Sequence, residues 1–254
     1  MFDAKLHDGG ILEIVIARPP VNAFSIGLLE ELAARFERIA GEPDVRCALL
    51  RSDGRGFCGG GDVKEVEALA GFEGILGHAK GSLRLSLAMM RCPVPVVAAV
   101  HGFCVGIGVI TAASADVIVA ARETRFVLAE IDNGATAGAV QALRLMPEKR
   151  VRAAMMTADP IMAQEIHGYG GIYELVDTNE RVAECGMAVA ARIASKQPAA
   201  MRRLKESLNN SSRVDEIAAL YRAEISYTYE LNIMGVAQDG RQDFLTGKRA
   251  GYAD

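Results

Sequence analysis

One carboxylate, Glu130, follows a stretch built to hold a negative oxygen. The stretch starts with an apolar strand-like run, Val94–Val100. It continues through the loop His101-Gly102-Phe103-Cys104-Val105-Gly106-Ile107-Gly108 and opens an apolar helix. Glycines just ahead of a helix let backbone N–H groups come close to a ligand, and the helix N-terminus adds partial positive charge there. A second glycine turn, Phe57–Asp62, precedes a helical pattern from Val63, with Asp62 at the capping position. Of the four histidines, only His101 is expected near these elements.

The elements that position these residues alternate in type. Ile11–Ile16 and Val45–Arg51 read as strands. Between them Ser25 caps a helix whose apolar positions Leu28, Leu29, Leu32, Phe36 and Ile39 recur three to four apart. Leu76–Met90 has helical spacing. Val94–Val100, Val117–Ala120 and Ile172–Val176 are short apolar or β-branched runs suited to buried strands. From Arg181 onward the pattern is helical: Arg181–Ser195, Pro198–Asn209, Val214–Ile233 and Gly235–Leu245. This predicts an α/β core over residues 1–195 and a helical C-terminal module over residues 196–254.

Composition narrows the function. At 254 residues and 50% hydrophobic content the chain can bury one substantial core. A net charge of −4 argues against nucleic acid as the main partner. The five cysteines form no CxxC pair and no His/Cys metal spacing, so reduced thiols, no metal and a cytoplasmic setting are expected. Cys58 and Cys104, which border the two glycine loops, read as packing residues. No signal-peptide pattern or membrane-spanning apolar run stands out, because glycines and Asp116 interrupt the longest candidate, Val94–Ala121.

Several segments, in order, resemble the enoyl-CoA hydratase/isomerase family, the crotonase superfamily. They are Ala17-Arg18-Pro19-Pro20-Val21-Asn22-Ala23-Phe24, Gly54–Glu65 with its Phe57-Cys58-Gly59-Gly60-Gly61-Asp62 core, and Pro93–Gly102. Gly106-Ile107-Gly108 stands where the family has three glycines, and Ser114-Ala115-Asp116 completes the series. The resemblance implies a crotonase-like spiral of β-β-α units that binds an acyl-CoA thioester and stabilises an enolate. The implied oxyanion donors are the backbone N–H groups of Gly61 and Ile107. Coenzyme A belongs to the substrate, so no separate cofactor is implied. Arg55, Lys64 and, more remotely, Lys248 correspond to regions where the family meets CoA. Family members assemble as trimers or hexamers through their C-terminal helices, and the same is expected here.

Hydratases of this family work with two glutamates on either side of a water. Glu130 matches one, in Phe126-Val127-Leu128-Ala129-Glu130, but Ile110 occupies the position of the other. Ile110 cannot ionise, and about one helical turn from Ile107 it should face the same space. A single carboxylate beside apolar walls favours an isomerase-like enzyme that moves one proton by way of an enolate. Two further readings stay open. Tyr229–Ala237 with Arg241 and Phe244 resembles a steroid-catabolic branch that opens the ring of a cyclic β-keto acyl-CoA with water. The two isoleucines also fit a CoA-binding paralogue without chemistry. Asp132 and His101 are secondary site candidates. Asp132 would share a side with Glu130 if that segment were extended, and His101 takes the place of the family's usual asparagine. Phe72–Met90 corresponds to the variable family region that covers the acyl chain, and Gly71, Gly74, Gly77 and Gly81 suggest mobility suited to a lid there.

Overall fold

The computed structural model describes residues 2–253. Its main sheet has six strands in the order β1-β2-β3-β4-β6-β9. These are β1 (Phe2–His7), β2 (Ile11–Ile16), β3 (Cys47–Ser52), β4 (Val96–Val100), β6 (Val117–Ala121) and β9 (Glu174–Val176). β1 runs antiparallel to β2, and the remaining neighbours are parallel. A second sheet, ordered β5-β7-β8, is made of β5 (Phe103–Val105), β7 (Arg125–Val127) and β8 (Ile161–Met162). Each parallel step of the main sheet needs a crossover. The helices that supply crossovers and covering layers are α1 (Ile26–Arg38), α2 (Val63–Ala68), α3 (Glu73–Met90), α4 (Ile107–Ala113), α5 (Ala139–Ala142), α6 (Glu148–Thr157) and α7 (Ala163–Gly168). Four C-terminal helices complete the chain: α8 (Val182–Ala194), α9 (Pro198–Ser211), α10 (Val214–Ile233) and α11 (Val236–Leu245).

The central strands β3 and β4 are buried on both faces, which explains their near-unbroken apolar runs. Ala48, Leu50, Val96, Ala98 and Val100 face the larger core with α1 and α3. Leu49, Val97, Ala99 and Val119 face the opposite layer, where Val189 and Ala190 of α8 cover them. Ser25 caps α1 by accepting from Leu28 N at 3.2 Å, and Asp62 caps α2 by accepting from Glu65 N at 3.2 Å. Asp116 anchors β4 through Val96 N at 2.7 Å. Its carboxylate also meets the buried Lys205 of α9 at 2.7 Å. The ammonium of Lys205 is then filled by Met89 O and Val94 O at 3.1 and 3.0 Å.

The boundary expected near residue 196 falls between α8 and α9. The helices beyond it return to the core. Tyr221 and Ile225 of α10 pack with Ile110 and Ala137. No helix among the described residues is long and apolar enough to cross a membrane.

Candidate active site

Two loops are brought side by side by the short strands. Cys58 and Cys104 form a parallel bridge, with Val105 N donating to Cys58 O at 2.9 Å. Phe24 N donates to Gly60 O and Asp62 N donates to Phe24 O, at 2.8 and 2.9 Å. This pairing on either side of Gly61 directs the Gly61 amide away from Phe24. Ile107 is the first residue of α4, so its N–H has no partner inside the helix. Both residues line one cavity of about 620 Å³.

Glycines at 106 and 108 are required by contact. A side chain on Gly106 (φ +52°) would meet Glu130 Oε1 at 3.0 Å, and one on Gly108 would meet Cys58 Cβ at 2.8 Å. Position 107 lies between them in helical geometry, and its isoleucine side chain joins the main core as well as the cavity wall. The isoleucine is therefore accommodated without closing the space in front of the loop. Ile110 is on the wall too, packed against Tyr221 and Ile225.

Glu130 enters the same cavity just beyond β7. Its Oε2 is sealed from solvent and has no hydrogen-bond partner among the described residues. Burial pushes its carboxyl up to about 8. A hydrogen bond from its own amide opposes this, and the charge of Glu224 adds to it. At neutral pH such a group is about nine-tenths protonated. Burial thus favours the neutral acid form of Glu130.

Glu224, on α10, was not singled out by sequence reasoning. Its carboxylate accepts from Gly138 N at 2.8 Å and Val140 N at 2.9 Å, and burial raises its own titration. Thr136 adds two bonds to the same helix, to Thr228 Oγ1 at 3.0 Å and Glu224 O at 2.7 Å. Together they tie the chain after Glu130 to the C-terminal wall. No sequence motif marks this link, because its partners lie far apart along the chain.

The structure gathers some of the other sequence candidates and separates others. Lys64 is on the cavity wall, whereas Arg55, Lys248, Asp132 and His101 are not. Arg55 donates to Ala253 O at 3.3 Å. Lys248 is exposed, 3.3 Å from Asp243. The segment after Glu130 is not extended: Glu130 has helical dihedrals and Ile131–Asn133 forms a tight 3-10 turn. That turn carries Asp132 out of the cavity, where it accepts from the Tyr252 hydroxyl. His101 donates through Nε2 to Gly54 O at 2.9 Å.

The expectation that His101 alone approaches the site is corrected. His78 of α3 lines the cavity, with Ser82 one turn further along the same helix face. That spacing within the Leu76–Met90 pattern was the signal available in the sequence. Arg18, Arg241 and Arg249 also border the cavity. Arg241 is paired with Glu67 and donates to Asn232 Oδ1 at 3.0 Å, which clamps α11 to α2. Cys58 and Cys104 are buried, and desolvation pushes the Cys58 thiol up to about 12, so neither is poised as a thiolate.

The chain is similar to several known proteins. The chain is 37% identical over 246 residues (96% of this chain, 95% of the relative) to a (7aS)-7a-methyl-1,5-dioxo-2,3,5,6,7,7a-hexahydro-1H-indene-carboxyl-CoA hydrolase of Rhodococcus jostii. A protein of the same name from Mycobacterium tuberculosis is 36% identical over 93% of this chain and 95% of its own. A 1,2-epoxyphenylacetyl-CoA isomerase of Escherichia coli is 26% identical over 80% of this chain and 79% of its own. Among solved structures, an enoyl-CoA hydratase from Mycobacterium avium subsp. paratuberculosis superposes with a TM-score of 0.84 at 23% identity, covering 95% of this chain and 97% of that one, which establishes the fold. The model of the enoyl-CoA hydratase/isomerase family matches residues 7–254, and the chain belongs to that family.

Proposed function

We propose that this protein opens the ring of a cyclic β-keto acyl-CoA with water, cleaving the bond between the ring ketone carbon and the carbon α to the thioester. The observation that carries this reading is Glu130, whose buried, unpartnered carboxyl is raised toward the neutral form in the same cavity that Ile110 lines. Attack of water on the ketone and collapse of the resulting adduct leave the electron pair on the α-carbon. The thioester oxygen takes up that charge against the amides of Gly61 and Ile107, the two donors implied by the family. Fixed donors of this kind each contribute about 10²–10³ in rate. Protonated Glu130 then delivers its proton to the α-carbon. This step needs a carboxylic acid, and ordinary hydration needs a second carboxyl group that Ile110 does not provide.

Other features agree. A cavity of about 620 Å³ is large enough for a bicyclic acyl group. The indene-carboxyl-CoA hydrolases are 36–37% identical to the chain across nearly its whole length. These relatives move ring opening ahead of the isomerase reading favoured by the sequence. Isomerisation keeps one argument, since a lone carboxyl can shuttle a proton between two carbons. The reaction uses water and no cofactor beyond the CoA already in the substrate. Lys64, with Arg18 and Arg249 at the cavity border, is the cation proposed to meet the CoA. Exposed Leu220, Tyr227, Ile233 and Met234 at α10 support the expected assembly of several copies.

Side-by-side assays of crotonyl-CoA, a 3-enoyl-CoA and a bicyclic β-keto acyl-CoA test the proposal. Ring opening of the third as the fastest reaction is expected. Rapid hydration of crotonyl-CoA would overturn it.

A further inference from the structure

A ring-opening hydrolase needs a group to take water's proton, and Glu130, already protonated, cannot do so. The wall beside Gly61 carries one candidate. His78 Nε2 lies 2.9 Å from Glu65 Oε2, and the same oxygen accepts from Ile26 N at 2.8 Å. A carboxylate only accepts, so Nε2 carries the ring proton and Nδ1 keeps a free lone pair. That Nδ1 is directed at the glycine loop: a β-carbon on Gly61 would sit 3.2 Å from it. The imidazole is largely buried, and its side chain lines the same cavity as Glu130. Burial lowers its titration, the bond to Glu65 and the nearby Asp62 act the other way, and Arg18 adds to the lowering. The ring is therefore neutral and able to accept at pH 7. A base held in one tautomer by a carboxylate, beside an oxyanion site, is the arrangement that activates a nucleophile.

Resting on the ring-opening reading above, we propose that His78 is the catalytic base that activates the hydrolytic water, with Glu65 as its positioning residue. Nδ1 takes one proton from water while the water oxygen bonds to the ring ketone carbon, giving a tetrahedral alkoxide. The alkoxide re-forms a carbonyl as the bond to the α-carbon breaks, producing a carboxylic acid and the thioester enolate. Glu130 gives its proton to the α-carbon. The proton on His78 returns through solvent to Glu130, so the cycle consumes one water and no other reactant.

The test compares wild type, His78→Gln, His78→Ala and Glu65→Gln in two reactions. One is ring opening of a bicyclic β-keto acyl-CoA. The other is deuterium exchange at the α-carbon of a saturated acyl-CoA, run above about pH 8 where Glu130 is ionised and can take the α-proton, which uses the oxyanion site and Glu130 but activates no attacking water. Both His78 variants are expected to lose ring opening by about 10²-fold or more while exchange stays within about 3-fold. Added imidazole is expected to restore part of the His78→Ala rate. Glu65→Gln is expected to move the acid limb of the rate profile to lower pH, because it removes a group that holds the imidazole's titration up. Ring opening within about 3-fold of wild type in both His78 variants overturns the role of His78 alone. Equal loss of both reactions without imidazole rescue marks a packing role and also overturns it. A wild-type protein that exchanges but opens no ring overturns the ring-opening reading itself.

Discussion

Glu130→Gln should make the protein more stable as it disables it, and the gain should grow with pH. Burial raises the Glu130 carboxyl from an ordinary 4.5 to about 8 in the folded chain. In the unfolded chain it titrates near its ordinary value. Between those limits the folded state binds more protons than the unfolded state, so stability falls as pH rises. The contribution is intact below the lower value and is lost as pH climbs through the upper one. At about 1.4 kcal/mol per tenfold, the loss reaches about 3 kcal/mol near pH 7 and about 4–5 kcal/mol above pH 8.5. Glutamine keeps the shape and cannot ionise. Urea unfolding of both proteins at about pH 5.5 and about pH 8.5 should therefore give a stability difference that grows in favour of the variant by about 3 kcal/mol. Turnover of the β-keto acyl-CoA should drop about 10²–10⁴-fold. A stability difference independent of pH, or one that grows in favour of wild type, refutes the assignment of a neutral buried acid.

Other perturbations reach the same site from different sides. Glu224→Gln removes the neighbouring charge that holds the Glu130 titration up, so the alkaline limb of turnover should move to lower pH; the weakened bonds to Gly138 and Val140 should cost about 1 kcal/mol in thermal unfolding. Gly108→Ala places a carbon 2.8 Å from Cys58 Cβ, which should cost about 1–3 kcal/mol in a denaturant titration and lower turnover by displacing the Ile107 amide. Lys205→Met leaves Asp116, Met89 O and Val94 O without their cation and should cost about 3–5 kcal/mol, with the rate per folded molecule unchanged.

Sequence patterns revealed what is periodic or contiguous. The apolar runs of β2, β3, β4 and β6 and the helix of Val214–Ile233 were legible because burial on one or both faces leaves a mark every second or every third to fourth residue. β5, β7 and β8 span two or three residues each, too few to show a period, yet they bring the two glycine loops together. Glu130 was readable from its neighbours in sequence. The helical spacing of Leu76–Met90 placed His78 on a face but not at the cavity, and nothing marked Glu224, because both relations depend on α3 and α10 folding in from distant parts of the chain. Alternation would have paired Asp132 with Glu130, but the chain turns at Glu130 and separates them.

Ring opening of a bicyclic β-keto acyl-CoA in heavy water enriched in oxygen-18, followed by mass spectrometry of the product, tests the central claim most directly. The account predicts a new carboxylate bearing one oxygen-18 and one deuterium bonded to the carbon α to the thioester. A product with its ring intact and only a shifted double bond, or a new carboxylate without α-deuterium, would contradict it.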